Sequence, residues 1–373
     1  MKTLCAWLGC LALLLGMGAC RLTGPGRPTD AATRPEVIPG GGGSCPTGQC
    51  DPDPNGLGIY VAEGQSYCFF HEGRAKLCPE AFVNTPQGVI MRVRSLEQPR
   101  RVLDIPVRLT PSAAPSQAGH PVLQQVHASP TDFFFVVSEG GQVTKVRGEA
   151  LGRLTFHFTL PVDEVDGDVV NRGYELTLRT LNGRRFQVLY RAAGSEPWLP
   201  QCRAPDKAPV ASVFLPARHV DGLSAFVDEQ LDSVTMACDT GAIGACLAWG
   251  YQPWAPDTFQ LDARREHVYR ACLQAKRAAY FVGQGDLRAY TTNGTDFLRR
   301  DAHGFGPRSS GRLDELEHVE ALWGPRGAVC LNLENRRHDF PIPRTSVLPA
   351  CASAPQWSAA ATLATGVARP LPR

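Results

Sequence analysis

The residues of this chain whose types and spacing could do chemistry are first of all its cysteines. Of thirteen, ten lie beyond the first twenty positions: Cys45, Cys50, Cys68, Cys78, Cys202, Cys238, Cys246, Cys272, Cys330 and Cys351. An even set in an exported chain reads as a disulfide framework. Each bridge would contribute about 2–4 kcal/mol. Cys238 and Cys246 flank a glycine-rich turn and are the first choice for a local bridge, and Cys68 with Cys78 is a second. No Cys-x-x-Cys or His-x-x-x-His spacing occurs, so neither a zinc site nor any other metal or cofactor is expected. The catalytic alternative is a Cys238 thiolate with His267 or His303 as its base. It is disfavoured because an oxidising compartment consumes free thiols.

Two further groups have suggestive chemistry. Asp163, Glu164, Asp166 and Asp168 gather around Gly167 like a calcium loop, but Val162 stands where the first oxygen ligand would be needed. A solvated turn between strands is the expectation. Trp249, Tyr251 and Trp254 are the densest aromatic group, able to stack on a sugar or peptide or, more simply, to lid a core near the 238–246 turn. No serine-nucleophile elbow, phosphate loop, metalloprotease or dinucleotide motif is present, so no catalytic residue is assigned.

Cys20 offers a different chemistry, acylation. Lys2 and the apolar run Leu4 to Ala19 precede Met17-Gly18-Ala19-Cys20, the pattern of a lipoprotein leader with a modifiable cysteine. The run is short for a membrane-spanning helix, which needs about 20 apolar residues. Arg21 following Cys20 favours the outer membrane, facing the periplasm or the exterior. Between Arg21 and Gly58 there are 16 glycines and prolines in 38 residues. Such a stretch cannot bury enough apolar surface to fold and would act as a tether reaching about 35 Å.

The elements that must position the body follow from periodicity. Charge is nearly balanced, 38 basic against 36 acidic, with no basic patch, so nucleic acid is not an expected partner. Leu154, Phe156, Phe158 and Leu160 alternate with polar residues and predict a strand. Asp132–Val137 with Val143–Val146, and Val89–Leu96 with Val102–Leu109, predict strand pairs. Around Asn182-Gly183 a three-residue loop predicts the pairs Leu178–Phe186, Leu176–Val188 and Tyr174–Tyr190. Leu261–Phe281 predicts the one long helix, with Asp262 at its start and Gly283 just past its end. The predicted fold is α+β: a β-rich antiparallel N-terminal region followed by a disulfide-braced α+β domain around that helix. The predicted segments are a leader at 1–19, a lipid-anchored linker at 20–57, a β-rich domain at 58–200, a second domain at 201–351 and a disordered tail at 352–373.

The second domain carries a resemblance. Thr235-Met236-Ala237-Cys238, Gly241-Ala242-Ile243-Gly244-Ala245-Cys246, Trp249-Gly250-Tyr251-Gln252-Pro253-Trp254, Ala271-Cys272, Asn293-Gly294-Thr295 and Ala328-Val329-Cys330 occur in that order. Over about Cys202 to Cys330 the chain resembles the ADYC-domain family of bacterial exported proteins and lipoproteins. The motif that names the family, Ala-Asp-Tyr-Cys, reads here Ala278-Ala279-Tyr280-Phe281. If the missing aspartate and cysteine are catalytic in the family, this member is inactive; if the cysteine is structural, the others have re-paired. The resemblance implies architecture and location, not an activity. The expectation is a lipid-anchored cell-envelope protein that binds an envelope or extracellular partner or has a structural role. The alternative is an extracytoplasmic hydrolase acting on glycans or peptides.

Overall fold

The computed structural model describes residues 69–71, 74–95, 98, 100–109, 121–163, 169–182, 185–195, 197–202, 210–239, 241–291, 297–306, 311–316, 318–337, 347–353 and 355–366. Cys20, Cys45, Cys50, Cys68, the tether, the turn at Asn293-Gly294 and the acidic residues Glu164, Asp166 and Asp168 lie outside the described residues.

In chain order the strands of the first half are β1 (Phe69–His71), β2 (Arg74–Thr85), β3 (Gly88–Ser95), β4 (Val102–Pro106), β5 (Arg108–Leu109), β6 (Val122–Ala128), β7 (Phe133–Glu139), β8 (Gln142–Arg147), β9 (Thr155–Asp163), β10 (Val169–Asn182), β11 (Arg185–Ala192) and β12 (Leu199–Pro200). The second half contains β13 (Ser212–Val220), β14 (Val227–Cys238), α1 (Ala242–Ala248), α2 (Ala263–Arg277), β15 (Leu298–Asp301), β16 (Val319–Gly324), β17 (Gly327–Leu331) and β18 (Leu363–Gly366).

Eleven strands form one antiparallel sheet in the order β4-β3-β2-β14-β13-β11-β10-β9-β5, with β1 on β2 and β12 on β11. The two ends of that order, β4 and β5, are separated in the chain by Val107 alone. The chain therefore draws the sheet's outer edges together into a nearly closed barrel, which leaves little free edge. Three further strands, β6-β7-β8, lie over it. Phe133 and Phe135, two residues apart on β7, share one face of the strand. Phe135 meets Phe156 at 4.8 Å and Phe82 edge-on at 6.0 Å, and Phe133 stacks on Phe214 at 4.0 Å.

A separate antiparallel sheet runs β15-β18-β16-β17, and α2 packs on it. The protein is thus mostly antiparallel β, which overturns the expected α+β architecture around one long helix. The reason is that β13 and β14, long strands of the second half, join the first sheet, while the remaining apolar segments pair with one another. The helix is an attachment to a sheet, and it is shorter than predicted. Asp262 caps its start by accepting from the Arg264 and Arg265 amides at 2.9 and 3.1 Å. Its end comes at Ala278, whose left-handed φ of 53° breaks the helical run before Gly283 is reached. Leu261 does not join the apolar stripe; it bridges to Trp254 and is exposed.

Two other expectations are corrected. The β10–β11 hairpin pairs Leu178 with Val188, Leu176 with Tyr190 and Tyr174 with Ala192, a shift of two residues from the predicted register. Pairing closes at Asn182–Arg185 after an irregularity at Leu181. A shift of two keeps every side chain on its face, so burial of Leu176, Leu178, Val188 and Tyr190 is unchanged by it. The segment predicted as a disordered tail contains β18, the middle strand between β15 and β16, and all four of its residues are buried. The predicted pairs β3–β4 and β7–β8 and the alternating strand β9 are present.

Candidate functional site

The described residues contain three complete disulfides: Cys202–Cys238, Cys246–Cys272 and Cys330–Cys351. Cys78 is disulfide-bonded as well. The local Cys238–Cys246 bridge is therefore not formed. Cys238 ends β14 opposite Ser212, beside the position to which β12, paired on β11, leads Cys202. Cys246 on α1 faces Cys272 on α2, so this bridge clamps the two helices. A Cys238 nucleophile is eliminated because its sulfur is already bonded. The proposed bases have no thiol to serve. Burial, then the charges of Arg270 and His303, lower the pKa of His267 and favour its neutral form.

The aromatic trio does not form one groove. Tyr251 is buried in the core. Trp249 lies edge-on to Phe297, with the Arg299 guanidinium 4.0 Å from its ring centre. Only Trp254 reaches an accessible cleft.

The altered family motif sits at a sealed polar centre. Ala278 ends α2, and the Tyr280 carbonyl accepts from the Ala328 amide at 3.0 Å, which fixes β17 against the helix end. Gly327 permits this approach, since a Cβ there would come within 2.9 Å of that carbonyl. The Tyr280 ring stacks on Trp323 at 5.1 Å and its hydroxyl donates to Glu320. Arg337 meets Glu320 with Nε at 2.8 Å and Nη2 at 2.6 Å. Thr365 of β18 donates to the same carboxylate at 2.6 Å while accepting from Trp323 Nε1 at 2.7 Å. The Arg337 and Glu320 side chains are wholly inaccessible, at 0% exposure each.

Burial alone would raise the Glu320 carboxyl, but Arg337 and the three hydroxyl and guanidinium donors outweigh it and hold it below the usual carboxylate range. Burial first, and then the Glu320 charge, push the Tyr280 hydroxyl well above its ordinary value, so it stays a proton donor. These are groups of catalytic type with every hydrogen bond turned inward, the arrangement of a structural clasp. Sequence reasoning did not single out Glu320, Thr365 or Arg337. The one signal was a lone carboxylate inside the apolar run Val319-Glu320-Ala321-Leu322-Trp323.

A second clasp joins the first sheet to the turn after β13. Glu80 is buried beside Arg94, the His219 Nε2 at 3.3 Å and the Gly222 amide at 3.0 Å. Arg94 Nη2 continues to Asp221 at 2.6 Å, which also accepts from the Ser224 amide at 2.7 Å. Burial opposes ionisation of Asp221, but Arg94 and Ser224 prevail and lower its pKa.

Among the described residues one open feature is a cleft of about 410 Å³ between the start of β7, β13 and the α1–α2 connection; another, of about 390 Å³, is lined by Phe281, Leu331, Leu333 and Val347. Phe133, Phe214, Leu247 and Trp254 form the apolar wall of the larger cleft, with Asp132, Arg147 and Arg185 among its lining residues. Arg147 pairs with Asp132 at 3.2 Å and Arg185 with Asp239, and the two arginine side chains are 52% and 56% exposed. This volume and composition fall in the range of small-molecule sites, about 300–1,000 Å³. Sequence reasoning found Trp254 but not its partners, because Phe133 and Phe214 come from strands remote in the chain. Among the described residues no group of three or more His, Cys, Asp or Glu is placed to hold a metal, and no helix is long and apolar enough to cross a membrane.

The family model of the ADYC domain matches residues 149–337, beginning near the start of β9 and ending at Arg337. The match starts further toward the N-terminus than the resemblance read at Cys202–Cys330. No curated protein and no solved structure matches the chain.

Proposed function

The chain belongs to the ADYC-domain family, and from that premise we propose that it is a binding module, not an enzyme, held on the bacterial cell envelope by a lipid on Cys20. The cleft beside Trp254 is its binding site, and an envelope or extracellular partner is its occupant. The observation that carries this reading is a contrast in where the polar groups point. Glu320, Arg337 and Tyr280 are closed on one another, whereas the cleft at β7 and β13 is walled by Phe133, Phe214, Leu247 and Trp254. A wall of that kind binds by apolar contact and stacking. Three cystines and the disulfide-bonded Cys78 support the oxidising side of a membrane. A lipid on Cys20 followed by a tether of that composition would present the cleft away from the bilayer.

Binding of the neutral dye N-phenyl-1-naphthylamine tests the cleft. One site per chain is expected in the wild type and none in Leu247→Trp, which fills the cavity from α1. Equal binding by both proteins would reject the assignment. Envelope fractionation tests the anchor: Cys20→Ala should appear in the soluble fraction, and its retention with membranes would refute lipidation at Cys20.

A further inference from the structure

The charges at the cleft balance but are unequally exposed: Arg147 and Arg185 are 52% and 56% exposed, whereas their partners, Asp132 in the lining and Asp239 outside it, are 36% and 22% exposed. Among the described residues each arginine has one carboxylate partner, Arg147 in Asp132 and Arg185 in Asp239, and each remains more than half exposed. An arginine presents five donors in a planar fork, so one carboxylate leaves donors directed to solvent. The Arg147 guanidinium also lies 4.9 Å from the ring centre of Phe134, on the face of β7 opposite Phe133, which fixes the charge at the rim of the cleft and not against its wall.

Resting on the reading of this cleft as the binding site, we propose that its ligand is an anionic amphiphile. Its ring or acyl portion lies between Trp254, Leu247, Phe214 and Phe133, and its acidic group is taken by Arg147 and Arg185. The apolar part of such a ligand is desolvated against the wall, and its charge stays at the rim where water still reaches. Burial of the charge, which would cost several kcal/mol, is thereby avoided. Asp132 is then a competitor as well as a partner: it holds Arg147 in place when the site is empty and opposes the incoming acid.

A matched pair of dyes on the full-length protein separates this inference from the one it rests on. 1-Anilinonaphthalene-8-sulfonate carries an aryl-naphthylamine body like that of the neutral dye, plus a sulfonate. The wild type should bind the sulfonate about tenfold more tightly than the neutral dye, as one charge-assisted hydrogen bond allows. Arg147→Gln/Arg185→Gln should abolish that preference, bringing sulfonate affinity down to that for the neutral dye. Asp132→Asn should raise sulfonate affinity by up to about fivefold, the scale of an exposed ion pair. Equal affinity for the two dyes, or a preference that survives the double arginine replacement, would overturn the anionic ligand while the cleft stood. Failure of both dyes to bind would overturn the cleft itself. Melting temperatures of the variants, expected within a few degrees of wild type for such exposed positions, exclude unfolding as the cause of any loss.

Discussion

The centre of the barrel-like sheet and the centre of the four-stranded sheet fill their interiors in opposite ways. The first is a cluster of phenylalanines, with Phe133 and Phe135 of β7, Phe156 of β9 and Phe214 of β13 in ring contact. No cysteine of a described disulfide belongs to that cluster. The second closes on a buried ion pair, Glu320 with Arg337, tied to Tyr280 and Thr365 and framed by the Cys246–Cys272 and Cys330–Cys351 bridges. Apolar contact is non-directional and roughly proportional to area, so a core built on it tolerates exchange of similar shapes. A buried ion pair depends on each partner being present, because either one alone is an uncompensated charge. The two regions should therefore respond oppositely to substitutions of similar size.

The largest effect is expected at Glu320. Glu320→Gln preserves the shape of the side chain but leaves Arg337 charged and buried without its counterion. A loss of about 3–5 kcal/mol is expected, measured by denaturant unfolding. Replacing both partners, Glu320→Leu with Arg337→Met, should recover most of that loss, since no charge is then stranded. Orphaning the Tyr280 and Thr365 hydroxyls keeps the recovery incomplete. A double variant no more stable than the single one would show that this core is not organised around the charge pair.

Acidification sharpens the same contrast. The pKa of Glu320 is lower in the folded protein than its ordinary value near 4.3, so its contribution is fully present above that value. As pH falls through the folded pKa, the contribution is lost. The phenylalanine core contains no carboxylate, and its Tyr174, whose pKa burial raises, stays protonated in acid; Asp221 lies outside it, at the turn after β13. Hydrogen exchange below pH 4 should therefore lose protection in β16 and β17 before β7 and β9. In Glu320→Gln the acid-dependent part of the difference between the two regions should shrink. Tyr280 sets the opposite limit. Its pKa is raised, so its contribution is complete below about 10 and declines as pH rises beyond that. Simultaneous loss of protection in both regions on acidification would contradict the assignment of the acid-sensitive group.

The same contrast explains what the amino-acid sequence disclosed. Strand β9 was legible because one buried face imposes strict alternation on Phe156, Phe158 and Leu160, and the β7–β8 hairpin because a continuous apolar run to Val137 ends at the turn Glu139-Gly140-Gly141. The β10–β11 register was legible only in its parity: burial fixes which face Leu176 and Val188 take, but not a shift of two, which Leu181 decides locally. In the second region α2 with its Asp262 cap was legible and β18 was not. Leu363-Ala364-Thr365-Gly366 is a strand because β15 and β16 hold it from both sides, not because of a pattern of its own. Cys238 found Cys202 and not the nearer Cys246 because sheet pairing, not chain distance, brings them together. The cleft was half visible for the same reason: Trp254 announces itself as an aromatic, whereas Phe133 and Phe214 oppose it only once three segments have packed.

The smallest effect is expected at the heart of the phenylalanine core. Phe135 is fully buried and touches Phe82, Phe133 and Phe156. Phe135→Met replaces the ring by a flexible thioether of comparable size that can still contact the surrounding ring edges. A cost below about 1.5 kcal/mol is expected, despite the central position, because no polar partner is stranded and the neighbours can close on the new shape. The decisive quantity is the ratio between the two regions: a near-isosteric change at Glu320 should cost at least twice as much as the shape change at Phe135. If Phe135→Met proved as damaging as Glu320→Gln, the edge-to-face ring geometry would be as directional a requirement as the ion pair. The two cores would then differ in chemistry but not in tolerance.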